Sequence, residues 1–257
     1  MYKRLPFYLI LSLAVCCIVS VPALPQVKGA VVLSRDHDAA KNTVTLHILN
    51  TSGKDITAFS IKIKETYGAN VNEHEYSTDT VGLMLNIQDL AGTPRGEQLR
   101  QQFGNGTFQS GTNRDEVMPV QPGLTNYEAA LDTVIYADKT AETTNWEALD
   151  RALNARKAFA STMRMTNEII KKALANAQDT APQETAAKEI EQLRRTWEAH
   201  HHQENLNAGA LQAVLNDLKN SPPQDTAVFL SDYVTKKDRR AAVLLEHAAP
   251  KVEGGGQ

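Results

Sequence analysis

The sequence predicts an α+β protein, in which an N-terminal antiparallel β-sandwich is followed by a C-terminal helical hairpin or small helical bundle. Two observations favour this fold. In most of the first half, apolar residues recur at every second position, which is the period of a half-buried strand. From about residue 144 they recur at helical spacing, about 3.6 residues per turn. The predicted divisions are a signal peptide at 1–23, the sandwich at 26–140, helices at 144–248 and a disordered tail at 249–257.

The strand predictions depend on alternation and on turn residues between the runs. Alternation is clearest at 44–48, 57–63 and 81–87, and the segment 126–137 is apolar on both faces, as a central strand is. Turn-forming residues separate these runs at 50–53, 67–70, 105–106 and 122–123. About seven short strands joined by turns are typical of an antiparallel sandwich.

Capping signals divide the helical region. Thr144 and Glu147 match a capping box, so a helix is expected to begin there. Pro182 suits the first turn of a second helix, and Asp225 suits the cap of a last one that runs to about residue 248. The middle of that last helix, 236–240, is strongly charged, so we expect it to fray or to project from the bundle.

The first 23 residues have the pattern of a signal peptide. Lys3 and Arg4 precede an apolar run at 5–19 that is short for a membrane span, and small residues allow cleavage after Ala23. The only cysteines lie at positions 16 and 17, and the bulky residue before Cys16 disfavours a lipid anchor there. The mature chain is therefore expected to be exported, periplasmic or extracellular, without cysteine and without a membrane span.

The conspicuous candidates for metal chemistry are histidines beside carboxylates. In the run 200–202, the usable helical pairs are Glu198 with His202 and His200 with Glu204, which could supply two ligands of a zinc or copper site. A polar helix face is the favoured alternative. Two acidic patches with a central histidine, at 36–38 and 73–75, are expected to be solvated loops. The sequence contains no nucleophile elbow and no phosphate-binding glycine loop, so no catalytic residue and no cofactor is predicted.

One stretch resembles a known kind of domain. The segment 50–59, Asn-Thr-Ser-Gly-Lys-Asp-Ile-Thr-Ala-Phe, together with Pro122-Gly123 and the segment 131–138, Leu-Asp-Thr-Val-Ile-Tyr-Ala-Asp, carries this resemblance. These residues resemble exported bacterial proteins of uncharacterised function with an immunoglobulin-like sandwich similar to FxLYD-type domains, although the F-x-L-Y-D string itself is absent. The resemblance implies an immunoglobulin-like fold and an exported location, and it implies no catalytic residue.

These observations predict a non-enzymatic binding or assembly protein of the cell envelope. The net charge of −3 argues against a nucleic-acid partner. The first long helix has a broad apolar arc, so the C-terminal helices are expected to contact a protein partner or a second copy of the chain, and full coverage of the arc within a monomer is the alternative. Two alternatives stay open, a metal-dependent hydrolase that uses the region from His200 to Glu204, and a periplasmic chaperone with an exposed apolar groove.

Overall fold

The computed structural model describes residues 24–176, 181–200, 205–220 and 226–253, and within these ranges the chain forms eight strands and six helices. The strands are β1 Ala30–Asp38, β2 Thr43–Asn50, β3 Ile56–Tyr67, β4 Asn70–Asp79, β5 Asn113–Pro119, β6 Asn126–Tyr136, β7 Thr140–Thr143 and β8 Lys251–Val252. The helices are α1 Val81–Asp89, α2 Pro94–Phe103, α3 Trp146–Ala175, α4 Pro182–His200, α5 Asn205–Lys219 and α6 Thr226–His247. The α+β class is confirmed.

The strands form two sheets whose inner faces share one core. The three-stranded sheet has the order β1-β2-β5, and the five-stranded sheet has the order β4-β3-β6-β7-β8. Neighbouring strands are antiparallel, except for the parallel pair β7 and β8. The alternating residues Leu46 and Ile48 of β2 share a buried cluster with Ile61 of β3 and Leu131 of β6. The period-two pattern predicted for β2 and β3 is therefore confirmed, as is the buried β6.

Helices cover the other face of the five-stranded sheet. Leu149, near the start of α3, packs with Ala58, Ile135 and Ala141 of the sheet. The second half of α3 packs with α4, α5 and α6 around Ile170, so α3 joins the sheet to the helical core. No helix in the described ranges is both long and apolar enough to cross a membrane.

The prediction of a strand at 81–87 is wrong, because this segment forms α1. Its buried residues are Val81, Met84, Leu85 and Ile87, which is the spacing of one helix face. That face packs against α3 and α6 in a cluster that includes Ala160. A short apolar run fits both periods, and tertiary packing selected the helix here. The segment predicted as a β-sandwich, 26–140, therefore contains two helices, α1 and α2, as well as strands.

The helix α2 was missed by the sequence reasoning although its start is well signalled. The side chain of Thr93 accepts a hydrogen bond from the amide of Gly96 at 3.0 Å, and Pro94 occupies the first helical position. Only Gly96 is buried in this helix, so α2 has almost no apolar face and periodicity does not reveal it.

The first long helix begins one residue later than its capping box predicted. The cap is Asn145, whose side-chain oxygen accepts the amide of Ala148 at 3.2 Å. The amide of Thr144 donates to the carbonyl of Asp132 on β6 at 2.7 Å, so Thr144 still belongs to the edge of the sheet. The predicted start of α4 at Pro182 is confirmed.

The prediction that 236–240 frays or projects is also wrong. The helix α6 is continuous through this segment, and charged residues of the segment pair with side chains on α1, α3 and α5. Asp238 accepts from the side chain of Asn167 on α3 at 2.6 Å. Arg240 and Arg239 both pair with Asp89, whose side chain at the end of α1 is buried. Polar partners on neighbouring helices therefore hold a segment whose composition alone suggested exposure.

The predicted disorder of the tail does not hold at Lys251–Val252, which form β8. This strand pairs in parallel with β7, so the chain returns from α6 to the edge of the five-stranded sheet. Just beyond it, the carboxylate of Glu253 pairs with the ammonium of Lys54 at 2.9 Å. Residues 254–257, the rest of the predicted tail, lie outside the described residues.

Candidate ligand cavity

A cavity of about 340 Å³ lies between the five-stranded sheet and the first half of α3. Small side chains form much of its wall, namely Ala58 and Ser60 on β3 and Ala148, Ala152 and Ala155 on α3. Side chains this short leave a gap between the two layers. The volume is within the range of small-molecule pockets, about 300–1,000 Å³.

The periodicity of both elements brings these small residues together. In β3, Phe59 and Ile61 point into the core between the sheets, so the alternate residues Ala58 and Ser60 point towards the helix. On α3, alanines at 148, 152 and 155 have the i, i+4, i+7 spacing of one helix face. Each element thus shows its smallest side chains to the other.

The wall of the cavity contains a hydroxyl without a partner. Ser60 is 4% exposed, and its Oγ atom is buried and makes no hydrogen bond within the described protein. Buried polar groups are usually paired, and an unpaired one costs about 1–3 kcal/mol. A ligand group placed against this hydroxyl would act as its donor or as its acceptor.

An ion pair borders the cavity on the side nearer the start of α3. Glu75 on β4 accepts a hydrogen bond from the guanidinium of Arg151 on α3, and the arginine side chain is mostly exposed. The same carboxylate accepts a hydrogen bond from the side-chain nitrogen Nδ2 of Asn145, the cap of α3, at 3.4 Å. The charges on this side of the cavity are therefore already paired with each other.

A buried arginine closes the opposite side. The side chain of Arg156 on α3 is 1% exposed, and its Nε and a terminal nitrogen donate to the two carboxylate oxygens of Asp79 at 2.6 and 3.1 Å. The guanidinium also donates to the carbonyl of His247 at 2.8 Å and to the hydroxyl of Thr57 at 3.2 Å. Asp79 lines the cavity, so this bidentate pair fixes one of its walls and ties β3, β4, α3 and α6 together.

The first predicted acidic patch, 36–38, belongs to β1 and is not a loop. The imidazole of His47 on β2 lies between two carboxylates, with Nε2 at 3.0 Å from Asp36 and Nδ1 at 2.8 Å from Asp115. Hydrogen bonds to Asp36 and then to Asp115 raise the pKa of this histidine. Both ring nitrogens are therefore engaged by neighbouring strands, an arrangement that only the strand register reveals.

The second predicted patch, 73–75, lies in β4, where alternation places His74 on the opposite face from Glu73 and Glu75. Glu75 points towards α3 and pairs with Arg151, whereas Glu73 pairs with Lys62 at 3.3 Å. The ring of His74 lies 3.9 Å from Glu65. Across the parts of the chain that the structure describes, no group of three or more histidine, cysteine or acidic residues is placed to hold a metal ion.

The predicted metal ligands near the end of α4 fall mostly outside the described residues. Glu198 accepts a hydrogen bond from Arg194 at 2.5 Å on the same helix. The helix ends at His200, and the side chain of that residue, like residues 201–204, lies outside what the structure describes. The metal site formed by Glu198, His200, His202 and Glu204 thus stays a prediction.

Sequence reasoning missed the residues that form the cavity, although two signals were present. A stripe of alanines at 148, 152 and 155 occupies the position where a core-facing helix usually carries large apolar residues. Arg156 stands within the apolar pattern of the same helix, which signals a buried ion pair as well as an interrupted seam.

The comparisons with known proteins add no function. No protein-family model and no curated protein matches this sequence. Among solved structures, the chain is similar to an X-ray structure of a hypothetical protein from Peptoclostridium difficile 630, with 10% sequence identity and a TM-score of 0.29. The alignment covers 48% of this chain and 90% of that one, and a similarity at this level identifies neither a fold nor a ligand.

Proposed function

We propose that this protein is an exported, non-enzymatic binding protein of the cell envelope, and that its ligand site is the cavity between the five-stranded sheet and α3. The observation that carries the proposal is the buried, unpartnered hydroxyl of Ser60 in the wall of a cavity of ligand size. Around it, Ala58, Ala152 and Ile135 offer apolar contact. Apolar contact together with an unpaired hydroxyl is an arrangement that holds and orients a small molecule.

We further propose that the two sheets are the immunoglobulin-like, FxLYD-like sandwich that the sequence resemblance implies. The support is that two largely antiparallel sheets share one core across their inner faces. The segments 50–59 and 131–138 contribute to β3 and β6, which pair in the five-stranded sheet. Contact of the C-terminal helices with a partner or a second copy stays a prediction.

Filling the cavity is expected to abolish ligand binding. In Ala152→Leu, the larger side chain would occupy the space between α3 and β3. The test is a fluorescence titration of protein purified after expression of the full 257-residue chain, with 2-naphthalenemethanol as the probe. The original protein should bind the probe saturably, and Ala152→Leu should not.

Two further variants make this result interpretable. Ala242→Leu adds the same side chain at an exposed position of α6 and should bind like the original protein. Ser77→Leu enters the same cavity from β4, so it replaces Ala152→Leu if that variant does not fold. If both folded cavity variants bind the probe as tightly as the original protein, the cavity is not the site.

Export predicts a defined mature N-terminus. In bacterial cells that express the full chain, we expect intact-mass measurement to find the protein in the envelope or secreted fraction, beginning at Leu24. Ala23→Phe places a bulky residue at the cleavage position and should leave the precursor uncleaved. Recovery of the original chain from the cytoplasm with its first residues retained would refute the export half of the proposal.

A further inference from the structure

We infer that the cavity selects an uncharged, mainly apolar molecule that carries one hydrogen-bonding group, and that this group bonds to the hydroxyl of Ser60. The inference rests on the proposed function and specifies its ligand class. Three features of the cavity lead to it: the pairing of its charges, the composition of its walls and the position of its unpaired hydroxyl.

The pairing of charges disfavours an ionic ligand. The carboxylate of Glu75 is paired with Arg151, and that of Asp79 is paired with the buried Arg156 through two hydrogen bonds. An incoming ammonium or carboxylate would have to displace one of these pairs or lose its hydration without a partner. Either route is costly in a partly desolvated site, so charged analogues should bind about tenfold or more weakly than neutral ones.

The walls favour apolar contact over most of the ligand surface. Ala58 and Ile135 contribute from the sheet, and Ala148, Ala152 and Ala155 contribute from the helix. These side chains offer no hydrogen bond, and the other uncharged polar residues of the lining, Ser77, Thr78 and Thr133, lie on the sheet side only. A molecule that is hydroxylated all round, such as a sugar, would therefore leave the groups that face the alanines unpaired. A compact ring system with a single polar substituent matches this lining better.

The hydroxyl of Ser60 sets the preference for one polar group. It is already buried and unpartnered in the free protein, so a ligand group that can donate or accept gains a hydrogen bond there that an apolar analogue does not. A ligand hydroxyl or carbonyl placed against it would form one neutral hydrogen bond. Such a bond adds about 0.5–1.5 kcal/mol, which corresponds to a preference of about 2- to 12-fold over the analogue that lacks the group.

A matched set of probes tests the inference on the folded protein. The four compounds share the naphthalene ring and differ only at the 2-position: 2-naphthalenemethanol, 2-methylnaphthalene, 2-naphthoate and 2-naphthylmethylammonium. We expect the alcohol to bind most tightly, the methyl compound less tightly and the two ions most weakly. In Ser60→Ala, the alcohol should lose its advantage over the methyl compound, whereas Ser231→Ala, which changes an exposed serine of α6 outside the cavity, should retain it.

The outcomes separate this inference from the proposed function. The binding function stands if the probes bind saturably to the original protein and Ala152→Leu prevents this binding. The inference is nevertheless wrong if one of the two ions binds most tightly, or if Ser60→Ala leaves the preference for the alcohol over the methyl compound unchanged. If no probe binds saturably, both the inference and the proposed binding function are wrong.

Ser60→Ala also has a readout without ligand, because removal of an unpartnered hydroxyl should leave the melting temperature equal or higher. A clearly lower melting temperature would show that the hydroxyl has a structural partner and would overturn the inference.

Discussion

Asp79→Ala is expected to lower the free energy of unfolding by about 3–5 kcal/mol, the largest effect that we predict for a single substitution. The reason lies in Arg156, whose positively charged side chain is 1% exposed. Without the carboxylate, this charge would stay buried with only the carbonyl of His247 and the hydroxyl of Thr57 as partners. The substitution also removes the acceptor of the Val81 amide at the start of α1, 2.9 Å away.

The companion substitution should be milder. Arg156→Met replaces the guanidinium by an apolar chain of similar length, so no buried charge remains and Asp79, whose side chain is 32% exposed, can be hydrated. The double variant with both Asp79→Ala and Arg156→Met should therefore be more stable than Asp79→Ala alone, because Arg156→Met removes the unpaired charge. Urea denaturation followed by circular dichroism measures all three.

An exposed ion pair supplies the control. Asp232 pairs with Lys236 one turn away on α6 at 2.7 Å, and both side chains are at least half exposed. Asp232→Ala should leave the free energy of unfolding nearly unchanged, because exposed pairs contribute little. If Asp79→Ala were no more destabilising than this control, or the double variant were less stable than Asp79→Ala, the buried pair would not be what joins the sheet to α3 and α6.

Sequence reasoning predicts elements that have local signals, but it does not predict pairs such as Asp79 and Arg156 that form between distant segments. Alternation in β2 and β3 and the proline that begins α4 are local signals, and they predicted those elements correctly. The run at 81–87 fits a strand and a helix equally, and only its packing against α3 and α6 decides between them. Asp79 and Arg156 lie 77 positions apart, so no local pattern indicates that they pair. In the sequence, Arg156 is visible only as a charged residue within the apolar pattern of α3.

Sequence reasoning could not locate the cavity for a related reason. Alanine and serine are compatible with many environments, so the alanine stripe of α3 and the small residues Ala58 and Ser60 of β3 are only weak signals on their own. A gap arises only because two such faces meet, which depends on how α3 crosses the sheet. The charged segment 236–240 was misread in the same way, since the partners that accommodate it lie on α1, α3 and α5.

Acidification should destabilise the protein through His247, which is 5% exposed at the end of α6 and whose Nδ1 has no partner within the described protein. Burial lowers the pKa of this imidazole, and the positive charges of Arg156 on α3 and Lys139 near β7 lower it further. Asp79 and Glu246 act in the opposite direction, with smaller effects. The folded protein therefore binds a proton at this site less readily than the unfolded chain does.

The sign of the effect follows from that difference. The unfolded chain takes up this proton near the ordinary histidine pKa of 6.5. Stability should be complete above that pH and should be lost as pH falls towards the lower folded-state pKa of His247, by at most about 1.4 kcal/mol per pH unit. In His247→Leu, the new side chain is apolar and cannot be protonated, so the part of the acid sensitivity that His247 causes should disappear. Melting temperatures between pH 7.5 and about pH 5 measure it, and an unchanged pH dependence in His247→Leu would contradict the assignment.

A second histidine gives the opposite sign and serves as an internal control. Hydrogen bonds to Asp36 and Asp115 raise the pKa of His47, so the stability that it contributes is fully present below the unfolded-state pKa and is lost as pH rises through the folded-state value. His47→Gln should therefore make the loss of stability on acidification steeper, whereas His247→Leu should make it shallower. General protonation of surface groups would change the pH dependence of both variants in the same direction. Opposite changes in the two variants would therefore locate the acid-sensitive contact at His247, where α6 meets Arg156.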